Sequence, residues 1–70
     1  MTGPEWIAAY AERLGVPVPD DATIECLLAL AGVAAHASER TAAPITCYLA
    51  GLAGIDLDTA DQIARDVAND

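Results

Sequence analysis

Residues 34–54 read AAHASERTAAPITCYLAGLAG, a run of small and apolar residues interrupted by His36, the polar group Ser38 to Thr41, and Pro44. The reading of those interruptions decides the fold. Proline lacks an N–H and fixes φ near −65°, so Pro44 fits the first turn of a helix, where an amide has no acceptor within the helix. ERTAA, residues 39–43, is then a connector between one helix ending at Ser38 and another starting at Ala43. In that second helix Ile45, Leu49 and Leu52 form a ridge, Cys47 and Tyr48 lie beside it, and Gly51 and Gly54 leave a groove or a stop. A helix apolar on nearly every side has to be buried in a bundle or covered by a partner.

Upstream, TIECLLALAGVAAHAS (23–38) places Thr23 as an N-cap and Glu25 in the first turn. Ile24, Leu27, Leu28, Ala31 and Ala35 make an apolar stripe that Leu30 and Ala34 widen, which predicts a central helix. Gly32 inside it costs about 1 kcal/mol relative to alanine, tolerable where another helix backbone comes close. VPVPDDA (16–22) is a stiff extended connector, and TGPEWIAAYAERLG (2–15) is a helix with Pro4 near its start and Gly15 as its stop. Trp6 or Ile7, Tyr10, Ala11 and Leu14 recur on one face. Downstream, DLDTADQIARDVAND (56–70) offers Asp58 as N-cap, an inward stripe of Ala60, Ile63, Ala64 and Val67, and a water-facing set of Gln62, Arg65, Asp66 and Asn69. No segment alternates with strand period. The sequence therefore predicts one all-α domain, a compact four-helix arrangement with helices at about 4–14, 23–38, 43–53 and 58–68.

Seventy residues with no phenylalanine and three aromatics build a thin core from Leu, Ile, Val and Ala, near the lower size limit for folding alone. Dimerisation or docking on a larger partner relieves that shortage. The net charge is −8, with no lysine and arginine only at positions 13, 40 and 65. Nucleic acid binding needs clustered cations to displace counterions, so nucleic acid is not expected as a partner, and anionic membrane surfaces are repelled. With no 18-residue apolar stretch and no basic, apolar N-terminal leader, the chain reads as cytoplasmic. Cys26 and Cys47 are then expected as free thiols.

His36 and Arg40 are four residues apart and share a face if the helix reaches Arg40. Beyond them, the start of the next helix offers unpaired amides and the Thr46 hydroxyl. Together these could take a phosphate or carboxylate. The competing reading has His36 and Arg40 satisfy the last carbonyls of their own helix and pair with an acid such as Glu39. Cys26, His36 and Cys47 are zinc-type ligands without the short spacings that fix two ligands at once. If the second and third helices run antiparallel, the two cysteines lie at different heights, which also disfavours a disulfide. Cys47 or Ser38 with His36 are the only nucleophile and base candidates, and no orienting group or oxyanion site accompanies them. No metal, cofactor or catalytic residue is therefore expected.

The same stretch carries a family resemblance. His36, Glu39, Arg40, Pro44 and Thr46, followed by Leu49, Gly51 and Leu52, with EWIAAYAERLG near the N-terminus and LLALA before the histidine, resemble a small family of actinobacterial proteins known only as a domain of unknown function. Members occur alone or attached to the C-terminal side of a molybdenum cofactor guanylyltransferase, which makes molybdopterin guanine dinucleotide. The resemblance implies a non-enzymatic accessory module that works with the guanylyltransferase or a molybdoenzyme. His36, Glu39, Arg40, Pro44, Thr46 and Tyr48 are the candidate contact residues. The alternatives are a binder for a phosphate-bearing pterin or nucleotide, and a structural homodimer that buries Tyr48 and its neighbours.

Overall fold

A short polar side chain next to a helix start accepts one of the first-turn amides that would otherwise have no partner. The computed structural model, which describes residues 1–70, shows this at three of its four helices. In α1 (Gly3–Leu14) the pairing is reciprocal: the Glu5 N–H donates to Thr2 Oγ1 at 3.2 Å and the Thr2 N–H donates to Glu5 Oε1 at 2.8 Å. For α2 (Asp21–Ala37) the cap is Asp20, whose Oδ1 accepts the Thr23 N–H at 2.8 Å. For α4 (Leu57–Ala68) the cap is Asp56, which accepts the Thr59 N–H at 2.8 Å and the Thr59 hydroxyl at 3.0 Å. Both starts lie earlier than the expected caps Thr23 and Asp58. In each case an Asp-x-x-Thr stretch lets a charged carboxylate accept from the threonine, a stronger bond than a neutral hydroxyl makes.

Helix ends are equally local. Gly15 (φ 74°) closes α1, with its own N–H on the Glu12 carbonyl at 3.1 Å and the Val16 N–H on the Ala11 carbonyl at 3.0 Å. Gly54 (φ 70°) closes α3 (Ala42–Ala53) in the same left-handed conformation. The end of α2 has no glycine; the Ser38 N–H and hydroxyl both donate to the Ala34 carbonyl, at 3.1 and 2.8 Å. The helix therefore stops at Ala37, one residue before the expected end, and Arg40 lies in the turn.

The fold is the all-α, four-helix domain that the sequence predicts, with α2 as its axis. Both α3 and α4 pack along α2, whereas α1 has no extensive partner and α3 does not close on α4. Residues 20–26 of α2 and its cap share a recess with residues 56–58, and residues 29–37 share another with residues 65–69. These pairings make α2 and α4 parallel, with α3 as the return between them.

Small residues supply most of the α3 and α4 sides of these contacts, against Leu30 and the half-buried Ile24, Leu27 and Val33 of α2. Only Ala11, Leu30 and Ala60 are buried, and Leu30 alone is fully enclosed. From α3, Ala43, Thr46, Cys47 and Ala50 turn inward, while the ridge of Ile45, Leu49 and Leu52, expected to be buried in the bundle or covered by a partner, is exposed. In α4, Ala60 and Ala64 face inward, but Ile63 and Val67 are exposed; Leu28 of α2 likewise points outward. Small side chains let helix axes approach closely, so the alanine faces dock and the bulky faces are turned away. Cys47 sits level with the first half of α2, its Sγ 3.8 Å from the Leu27 carbonyl oxygen. That overturns the expectation that it lies far below Cys26, yet both cysteines are free thiols. A Cβ added at Gly32 or Gly51 meets nothing within 4 Å, so neither glycine marks a close helix approach.

Candidate interaction surface

Because α3 and α4 both lie on α2 without packing along each other, a cleft of about 680 Å³ opens between them. Leu30 and Val33 form its floor, Leu49 and Ala50 line the α3 side, and Ile63 and Val67 line the α4 side. Asp70, at one end, is its only charged lining residue. A second apolar surface lies on α1, where Trp6 and Tyr10 stack at 5.0 Å between ring centroids while remaining 55% and 52% exposed. Ile7 and Leu14 extend that face.

The amount of open surface is abnormal for a chain of this mass. The accessible area is 5431 Å², whereas a folded 7.2 kDa monomer exposes about 4100 Å². The radius of gyration is 12.7 Å, against about 11 Å for a packed domain of this length. Roughly 1300 Å² of extra surface is thus left open by this fold.

The six residues singled out from the sequence do not converge. His36 is exposed on the last turn of α2, in a recess shared with Gly32, Arg65 and Asn69. Glu39 and Arg40 are exposed in the turn, where their carbonyls accept the Ala42 and Ala43 N–H groups at 3.0 and 3.1 Å. Arg40 does not share a helical face with His36. Ser38, and not His36 or Arg40, satisfies the Ala34 carbonyl, and the chain's single ion pair joins Arg65 Nε to Asp61 Oδ2 at 2.7 Å. Arg40 therefore faces solvent without an acidic partner. Pro44 is exposed in the first turn of α3, and Tyr48 is exposed away from the cleft. Thr46 is half-buried and borders both the cleft and a shallow recess with Glu39 and Thr41 at the start of α3. Thr41 makes no side-chain cap there.

Acid concentrates at the opposite end, where the parallel helix starts place Asp20, Asp56 and Asp58 around one recess. Thr23, through its side chain and then its N–H, holds the Asp20 carboxyl below the ordinary range, and the Thr59 N–H and hydroxyl do the same for Asp56. The Thr2 backbone and then its hydroxyl lower Glu5 likewise. No three His, Cys, Asp or Glu side chains gather as a metal site would require.

The cleft walls and the α1 face carry large residues from the apolar stripes of three helices, of which the sequence reading turned only the α4 stripe firmly inward. Their signal in the sequence was the segregation of alanine from bulky residues around each helix, a distinction that apolar periodicity ignores.

Among protein families, the model of one described as a domain of unknown function, DUF6457, matches residues 2–70, and the chain belongs to that family. No curated protein and no solved structure matches it significantly.

Proposed function

We propose that this member of the DUF6457 family is a non-enzymatic helical interaction module, and that its open apolar surface is an interface. The observation that carries this is the roughly 1300 Å² of surface beyond what a monomer of this mass exposes, together with a mostly apolar cleft whose one charged residue is Asp70 and an uncovered aromatic helix face. The resemblance in residues 36–52 supplies the partner: a molybdenum cofactor guanylyltransferase or a molybdoenzyme, met in an actinobacterial cytoplasm during formation of molybdopterin guanine dinucleotide. Docking is assigned to the turn end, where His36, Glu39 and Arg40 are exposed and Arg40 is free of an ion pair. No helix is long and apolar enough to cross a membrane.

The test is an ¹⁵N-labelled NMR titration of the chain with its organism's guanylyltransferase at moderate salt. Selective shifts or broadening from His36 to Thr46 are expected, and a spectrum unchanged throughout rejects the partner. The competing reading, a binder of phosphate-bearing pterins or nucleotides, has Thr46 and the first-turn amides of α3 in its favour. Glu39 beside them opposes an anion. Calorimetry with GTP is expected to show no saturable heat; a saturable isotherm reverses the order of the two readings.

A further inference from the structure

We infer that the apolar cleft is occupied by a second copy of this chain: in a two-fold dimer, α1 of each copy lays its Trp6, Ile7, Tyr10 and Leu14 face between α3 and α4 of the other. The inference rests on reading the apolar surface as an interface, and it names the occupant.

The chain carries both halves of the contact. Helix α1 is capped at both ends by its own residues and presents an apolar face without an extensive partner in its own chain. At 1.5 Å per residue its 12 residues span about 18 Å, the same length as the 12-residue helices α3 and α4 that wall the cleft. The area agrees as well. A standard interface buries about 800 Å² per partner, and the roughly 1300 Å² by which each copy exceeds a monomer of its mass leaves room for one of that size.

Symmetry decides between a second copy and an unrelated helix. A foreign helix in the cleft leaves the α1 face uncovered. Two copies related by a two-fold axis cover both surfaces at once, and the assembly closes with no unmatched end. Asp70 is the only charge lining the cleft, so the −8 charge on each copy acts mainly at longer range. Salt screens such repulsion over about 8 Å at physiological strength, so added salt strengthens this dimer.

The test uses the full chain. Light scattering across a concentration series is expected to give twice 7.2 kDa at the upper end, with emission from Trp6, the single tryptophan, shifting to the blue as the mass doubles. Trp6 and Ile63 are 55% and 51% exposed, so Trp6→Arg and Ile63→Arg leave the helices formed. Each variant alone is expected to be monomeric at unchanged circular dichroism. An equimolar mixture, in which one α1 face and one cleft remain intact, is expected to recover a dimer at high concentration. A wild-type chain that stays at 7.2 kDa overturns the inference; resonances of His36 to Thr46 that still respond to the guanylyltransferase then leave the docking reading standing. A wild-type dimer that neither substitution weakens, or a mixture that stays monomeric, overturns the pairing of α1 with the cleft.

Discussion

Replacing Gly32 by alanine is expected to stabilise the chain, although Gly32 lies in the middle of its central helix. The helix runs eleven residues before it and five after it, so the position has full interior character. There alanine is favoured over glycine by about 1 kcal/mol, because the unfolded glycine loses more backbone freedom. A Cβ built at this position meets nothing within 4 Å, so no steric cost offsets the gain. For 70 residues the whole stability is roughly 3.5–10 kcal/mol, which makes this a sizeable fraction, and the melting temperature should rise by about 4–8 °C. The assay is thermal denaturation by circular dichroism at matched concentrations, because self-association would add its own concentration dependence. Gly54→Ala is the control of opposite sign, since φ 70° costs an L-residue about 1–2 kcal/mol. A Gly32→Ala chain that melts at or below the wild-type temperature refutes the reasoning and means that another surface covers Gly32.

Leu30→Ala removes the one fully enclosed large side chain and should cost about 2–5 kcal/mol, enough to unfold much of the population; urea titration with a loss under 1 kcal/mol would count against α2 as the axis. Asp20→Ala and Asp56→Ala should each lower the melting temperature at pH 7 and lose most of that effect in acid. The sign follows from the lowered carboxyls of Glu5, Asp20 and Asp56. Their stabilisation is complete above the unfolded values of about 4 and disappears as pH falls through the lower folded values. A melting temperature flat from pH 5 to pH 2 contradicts these caps. Arg40→Ala should leave stability unchanged and weaken the docking proposed above, read as a higher Kd for the guanylyltransferase by calorimetry; equal affinity removes Arg40 from the contact.

What the sequence made legible follows the range of each interaction. Helix number and type, the stops at Gly15 and Gly54, and the central place of α2 depend on residues a few positions apart, and all appear in the structure. The starts of α2 and α4 were also within reach, because Asp20 to Thr23 and Asp56 to Thr59 repeat one Asp-x-x-Thr pattern. Ser38 ends α2 by turning its hydroxyl back onto Ala34, which separates His36 from Arg40. The orientation of α3 was less accessible. Its circumference is apolar almost throughout, so periodicity could not say whether Leu49 or Ala50 would meet α2. Close approach through small residues chose the alanine side. The same choice opened the cleft, and the level of Cys47 beside Leu27 depends on a helix crossing that no local pattern encodes.

The parallel course of α2 and α4 has an electrical consequence. Peptide dipoles along two parallel helices add, so two partial positive charges lie side by side at the starts and two partial negative ones at the ends. Asp20, Asp21, Asp56 and Asp58 surround the positive pair, and His36 and Arg65 lie near the negative pair. The side chains thus oppose the field of the backbone. Neutralising those four aspartates would do more than reduce the net charge: it would uncover two adjacent positive helix starts and turn the chain's most acidic end into one that attracts anions.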